Sequence, residues 1–245
     1  MKYLLKQIDK KLFNEFFIKI YRNLYTNKKT RNFHKNYVTN INNLRQYKSL
    51  TYWNNLFNHL SKNNVPGDIV ECGVGNGQSL SFILFNLIYS KEHLNRKYIG
   101  FDSFQGFPEP SEEDNSRRNP KKGDWSHTNE KFVLGNLNDL GFDDKNYAKI
   151  KFIKGFYENS FKREYDNIKK ISILHIDCDL YSSTKISLET WFSKVETNGI
   201  IVFDEYLNAA TKFPGAVKAI DDFLGDDKDK IKICPYTKQY YFIKI

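Results

Sequence analysis

Apolar positions along the chain divide it into two unlike parts. Leu5, Ile8, Leu12, Phe16, Ile20 and Leu24 recur every three or four residues, which predicts an amphipathic helix over 3–25. Residues 26–48 are rich in Asn, Lys, Arg and Tyr without a period and read as an irregular arm. A second helix is expected near Leu50 to Leu60, followed by a turn at Val65-Pro66-Gly67. From Asp68 onward short continuous apolar runs take over. Strands are expected at the run beginning DIVEC and at 97–102, 150–155, 172–177 and 199–204, with helices near 78–90, 129–140, 183–195 and 215–224. Apolar runs alternating with helices imply a parallel sheet covered on both faces. The runs IKICPY and QYYFIKI lie too close together for a parallel crossover, so they should pair as an antiparallel hairpin.

Composition adds limits. A chain of 245 residues, 40% hydrophobic and 16% aromatic, suits one folded α/β domain (61–245) with a basic helical extension (1–60). No apolar run approaches the roughly 20 residues that cross a bilayer, and no leader-peptide pattern opens the chain, so a cytoplasmic protein is expected. Cys72, Cys178 and Cys234 form no CxxC pair and read as buried thiols. Charge is uneven. The net +9 comes from residues 1–50, where twelve lysines and arginines face only Asp9 and Glu15; the rest is close to neutral. A main domain without its own basic face argues against nucleic acid as a partner. The basic helix has two uses open to it: packing on its own domain or on a sister subunit in a homodimer, or lying on an anionic membrane surface.

The chemistry gathers around DIVECGVGNGQS, residues 68–79. Glycines at 73, 75 and 77 allow a sharp turn and close backbone approach, and the helix after them offers free N–H groups to a ligand. Ligands of open α/β sheets bind beyond the carboxyl ends of the strands. Glu71, Asp102, Asp177 and Asp204 stand at or near four such ends, with Asp179 and Glu205 close behind. Buried carboxylates there need ribose hydroxyls, an ammonium group or a metal ion as partners. Asp102 follows Gly77 by 25 residues, about where a second strand presents an acid to a ribose. The spacing is GxGxG, with Gln78 where a dinucleotide fingerprint carries its last glycine. The loop from Ser103 to His127, with Pro108, Pro110, Pro120 and a charge-rich run, is placed as a lid.

ECGVGNG resembles the first motif of class I S-adenosylmethionine (SAM)-dependent methyltransferases. VPGDIVECGVGNG, FDSFQGFP, IDCDLYSST and FDEY followed by AVKAIDDF together resemble the macrocin/mycinamicin sugar O-methyltransferase family over roughly residues 65–245. The resemblance implies a Rossmann-like, seven-stranded, mostly parallel sheet ending in an antiparallel strand. It also implies that Glu71, Gly73, Val74, Gly75, Asn76, Gly77 and Ser79 hold the methionine part of SAM, with Asp102 and Ser103 at the ribose. Phe156 and Tyr157 would border the adenine, although both also suit a core. A magnesium ion would be held by Asp177, Asp204 and Glu205.

Such a site matches the chemistry required. A sugar hydroxyl is protonated at neutral pH, and a cation with a nearby carboxylate makes it a nucleophile. The sequence departs from relatives in two places. FDEY carries Glu205 where relatives often have aspartate, and Leu180 stands where catechol-type enzymes place a lysine. The base is therefore expected to be Asp177, with Asp179 or His127 in reserve, while His175 reads as a core histidine. The acceptor would be a sugar in a surface-polysaccharide precursor or a glycosylated natural product; were it linked to a nucleotide or lipid, Arg117, Arg118, Lys121 and Lys122 or the N-terminal arm would meet its phosphates. Two other classes stay open: a nicotinamide-dependent oxidoreductase, and a non-catalytic module binding anionic surfaces through its first 50 residues.

Overall fold

A computed structural model describes residues 44–89, 96–143, 147 and 149–245. The helix expected over 3–25 and most of the basic arm lie outside the described residues.

Seven strands form one sheet: β1 (Asp68–Cys72), β2 (Tyr98–Asp102), β3 (Ile150–Lys154), β4 (Ile171–Ile176), β5 (Val195–Phe203), β6 (Lys232–Ile233) and β7 (Tyr240–Ile243). Their order is β3-β2-β1-β4-β5-β7-β6. The first five run parallel, and β7 is antiparallel to both β5 and β6, as the hairpin reading required. The helices are α1 (Leu44–Lys62), α2 (Gln78–Tyr89), α3 (Glu130–Asp139), α4 (Tyr157–Glu164), α5 (Tyr181–Trp191) and α6 (Pro214–Leu224).

Strand side chains alternate between two cores. Ile69, Tyr98, Ile173, Ile200 and Val202 pack with Leu50, Trp53, Phe57, Leu80, Val133 and Leu137, which places α1, α2 and α3 on one face. Val70, Phe101, Leu174, Ile176 and Phe203 pack with Phe161, Leu188, Trp191 and Ile220, which places α4, α5 and α6 on the other. Burial on both faces is why the central strands read as unbroken apolar runs.

Three expectations are corrected. The irregular arm was expected to reach residue 48, yet α1 begins at Leu44, so the boundary expected after residue 60 falls inside a helix whose Trp53, Phe57 and Leu60 are buried in the domain core. Helix α4 was not expected at all; its eight residues are too few to establish a period. The helix expected over 183–195 ends at Trp191, passes through a 3-10 turn at Phe192–Lys194, and yields to β5, which starts four residues early because Val195 pairs with Ile171.

The chain turns from β1 toward β2 and β3 on one side, and β4 and β5 lie on the other. That reversal opens a crevice at the carboxyl ends of β1 and β4, the usual ligand position in such sheets.

Candidate active site

A cavity of about 350 Å³ fills this crevice. Residues following each of the five parallel strands line it: Gly73, Gly75 and Asn76 after β1, Asp102 and Ser103 at β2, Phe156, Tyr157 and Glu158 after β3, Asp177 to Asp179 after β4, and Glu205 after β5.

The glycine loop is shaped by close packing at one point and openness at another. Gly73 sits at φ +95, and a Cβ there would lie 1.7 Å from the carbonyl oxygen of Asp177, so no side chain fits between the β1 and β4 turns. Gly75, at φ +53, would meet nothing within 4 Å; its backbone faces the cavity. Asp102 braces this loop. Its Oδ2 accepts from the N–H of Val74 at 2.9 Å and Gly75 at 3.0 Å, and its Oδ1 from Phe104 N–H at 2.7 Å. Asn76 Oδ1 accepts from Gln78 N–H at 3.1 Å, and Asn76 O accepts from Asn136 Nδ2 at 2.9 Å.

The expected site residues do not all reach the cavity. Val74 is buried, and Gly77, Ser79 and Asp204 do not line it. Glu71 lies in the core on the α1 face, where its Oε2 accepts from the Tyr98 hydroxyl and its Oε1 pairs with His175 Nδ1 at 2.7 Å. The His175 ring meets Trp53 edge-on at 5.2 Å. His175 is therefore a core residue, as expected, and Glu71 supports the loop from beneath. Tyr157 is shared: it lines the cavity while stacking on Phe161 at 4.5 Å.

Carboxylate oxygens of Asp177, Asp204 and Glu205 lie within 4.8 Å of one another. Burial pushes the Asp177 carboxyl well up from its ordinary range, with the negative neighbours Asp204, Asp179, Glu71 and Asp102 adding to it. Glu205 is raised for the same reasons, burial first, then Asp177, Asp179 and Asp204. Asp179 rises to about 7, mainly through burial, and sits at φ +62, a left-handed conformation uncommon outside glycine. Gln239, next to β7, donates to Asp204 Oδ1 at 2.8 Å and fixes that arm. Among the described residues no lysine or arginine lines the cavity. As anions these acids repel one another, and a divalent cation would reverse the penalty; an all-carboxylate set suits a hard ion such as magnesium.

The loop expected as a lid is a pinned wall. Asp114 is buried, accepts from Tyr181 N–H at 2.8 Å through Oδ1, and from Ser111 N–H at 2.8 Å through Oδ2. Ser116 Oγ donates to Lys212 O at 2.7 Å. His127 and Pro108 reach the cavity, together with Phe107, Trp125, Thr128 and Phe213, which the sequence reading does not name as site residues. An isolated tryptophan in the polar run GDWSH was the available signal for Trp125. The four basic residues expected to meet phosphates do not line the cavity; Arg118 is paired with Asp124, and Lys122 lies 3.9 Å from Glu109.

A sheet in this order, with an antiparallel seventh strand and a glycine loop facing an acid on β2, is the fold of the class I methyltransferases. The model of the macrocin-O-methyltransferase (TylF) family matches residues 5–233, and the chain belongs to that family. Demethyldecarbamoylnovobiocin O-methyltransferase of Streptomyces niveus is 25% identical over 179 residues, 69% of this chain and 66% of that protein. Mycinamicin III 3''-O-methyltransferase of Micromonospora griseorubida is 21% identical over 152 residues, 59% of this chain and 57% of that protein. The chain thus spans somewhat under two thirds of the length of these relatives. Among solved structures, CalS11, a calicheamicin methyltransferase, superposes with a TM-score of 0.70 at 21% identity, covering 96% of this chain and 92% of that one. The O-methyltransferase NovP gives 0.62 at 24% identity, covering 81% and 80%.

Proposed function

We propose that the protein is a SAM-dependent O-methyltransferase acting on a sugar hydroxyl, with magnesium held by Asp177, Asp204 and Glu205. The observation that carries this reading is that those three carboxylates lie within 4.8 Å of one another and that two of them, Asp177 and Glu205, line the same cavity as the glycine loop. When bound, SAM supplies an electrophilic methyl group on its sulfonium. When bound, magnesium supplies Lewis acidity toward the acceptor oxygen.

The chain's own residues supply the rest. Gly73, Gly75 and Asn76 present backbone to the methionine part of the cofactor, and Asp102, which also lines the cavity, holds loop and ribose together. Phe156 and Tyr157 flank the adenine. Asp177, or in its place Asp179 or His127, takes the hydroxyl proton; all three line the cavity. Phe107, Trp125 and Phe213 keep water from the transfer, whose rate depends on positioning.

The test is transfer of a labelled methyl group from SAM to simple glycosides, with and without EDTA. Transfer that stops on chelation and returns with magnesium supports the reading; transfer indifferent to EDTA removes the metal role. Calorimetry with S-adenosylhomocysteine and with NADH separates it from the nicotinamide alternative.

A further inference from the structure

Helices α5 and α6 begin without a cap of their own. Leu180 and Phe213 occupy the N-cap positions, and neither side chain offers an oxygen to the first turn. The acids of the site ride on the connections that lead into these helices: Asp177 and Asp179 between β4 and α5, Asp204 and Glu205 between β5 and α6.

Asp114 supplies a cap to α5 and lies against the start of α6. It stands in a 3-10 turn of the wall, 67 residues before Tyr181, whose N–H donates to its Oδ1 at 2.8 Å. Helix α6 meets the same oxygen: a Cβ on Gly215 would lie 1.9 Å from Oδ1 and 3.0 Å from Tyr181 N. Oδ2 accepts from Ser111 N–H at 2.8 Å and from Ser111 Oγ at 3.0 Å, which ties the carboxylate to its own loop. Asp114 is only 2% exposed. A carboxylate at that depth needs compensation, and the N–H groups and the positive ends of two helices provide it.

The turn from Asp177 to Tyr181 is thereby held at both ends. Asp177 N–H donates to Cys72 O at 2.9 Å, which fixes the start of the turn to the last residue of β1; Asp114 fixes its end. Between them Asp179 takes φ +62 and Leu180 N–H donates to Cys178 O at 2.7 Å. A left-handed aspartate persists where its surroundings over-determine it. The connection into α6 is tied to the same wall, since Ser116 Oγ donates to Lys212 O at 2.7 Å and the guanidinium carbon of Arg118 lies 5.6 Å from the Phe213 ring centroid. Asp114 itself does not line the cavity.

We infer that Asp114 is a positioning residue for the acid cluster: from outside the cavity it fixes the turn carrying Asp177 and Asp179 against the wall, and so sets how tightly the site holds its cation. This rests on the magnesium-dependent reading above.

The experiment uses the full chain and measures two affinities by calorimetry, that of S-adenosylhomocysteine and that of magnesium added to the S-adenosylhomocysteine complex. Asp114→Ala should weaken magnesium about tenfold while S-adenosylhomocysteine stays within about twofold of the parent, because Asp102 braces the glycine loop independently. Asp114→Asn keeps one acceptor oxygen for two sets of donors and should fall between the parent and Asp114→Ala. Gly215→Ala places a methyl group in the space of Oδ1 and should weaken magnesium to a similar degree. The double variant Asp114→Ala/Gly215→Ala should lose less than the product of the two, because both break one contact. Ser111→Ala leaves the Tyr181 N–H bound and should keep magnesium within about twofold.

Magnesium affinity within about twofold of the parent in Asp114→Ala overturns the inference and leaves the methyltransferase reading standing. Equal loss of both affinities also overturns it, because that pattern marks a general folding role. Should Asp114→Ala fail to fold in urea titration, Asp114→Asn decides by the same two affinities. A parent chain that binds S-adenosylhomocysteine and no magnesium removes the metal role and this inference together.

Discussion

The two ends of the cavity are built by different means. The end proposed for the cofactor is made of backbone: a glycine turn against the β4 turn, with one carboxylate, Asp102, tying three N–H groups together. The end proposed for the acceptor is made of side chains on the long segment after β2, pinned by Asp114 and Arg118 to helix termini and rings distant in sequence. Backbone construction tolerates almost no variation in residue type, whereas a side-chain wall keeps its position while its surface changes. A fold that keeps one cofactor and meets many acceptors gains from that division.

The difference can be tested from its strongest point downward. Asp177 sits where both ends meet, and Asp177→Asn should lower transfer about a thousandfold, with magnesium binding lost by calorimetry. Retained magnesium affinity in that variant would remove Asp177 from the ligand set. Gly73→Ala should destabilise the fold by about 3 kcal/mol in urea unfolding and abolish S-adenosylhomocysteine binding, since a methyl group cannot share the space of the Asp177 carbonyl.

Asp114→Ala leaves the N–H groups of Tyr181 and Ser111 without their acceptor, at a cost of about 2 kcal/mol. Its S-adenosylhomocysteine affinity should nevertheless stay near the parent's. Loss of that affinity to the same degree as in Gly73→Ala would show that the two ends are not built independently. Lys122→Ala, which removes an exposed pair with Glu109, should change stability by less than about 0.5 kcal/mol and leave transfer intact. A clear drop in transfer there would return a phosphate-binding role to the loop.

What the sequence disclosed follows the same division. Glycines and strand-end acids could be read because apolar runs mark where strands stop, and the sheet's rules then say what those positions face. Asp177, Asp204 and Glu205 stand among those acids, and it is the family resemblance that groups the three, although 26 residues separate the first pair. Glu71 was found but misplaced: the period of the strand turns it to the α1 face, where Tyr98 and His175 occupy its oxygens. Trp125 and Phe213 depend on how a loop packs against a helix start, which no local pattern encodes. Helix α1 was cut short because residues 44–48 are mostly polar, while the burial of Leu50 and Trp53 that holds the helix comes from the sheet.

The hairpin sets an order of assembly. Strand β7 comes last among the seven in sequence yet lies inside the sheet, between β5 and β6, and Gln239 beside it steadies Asp204. During synthesis the five parallel strands emerge first, with the edge of β5 open to pairing with other chains. Arrival of residues 239–243 covers that edge and completes the support of the acid cluster in one event. A chain stalled before residue 239 would keep its glycine loop and lack the amide that steadies Asp204.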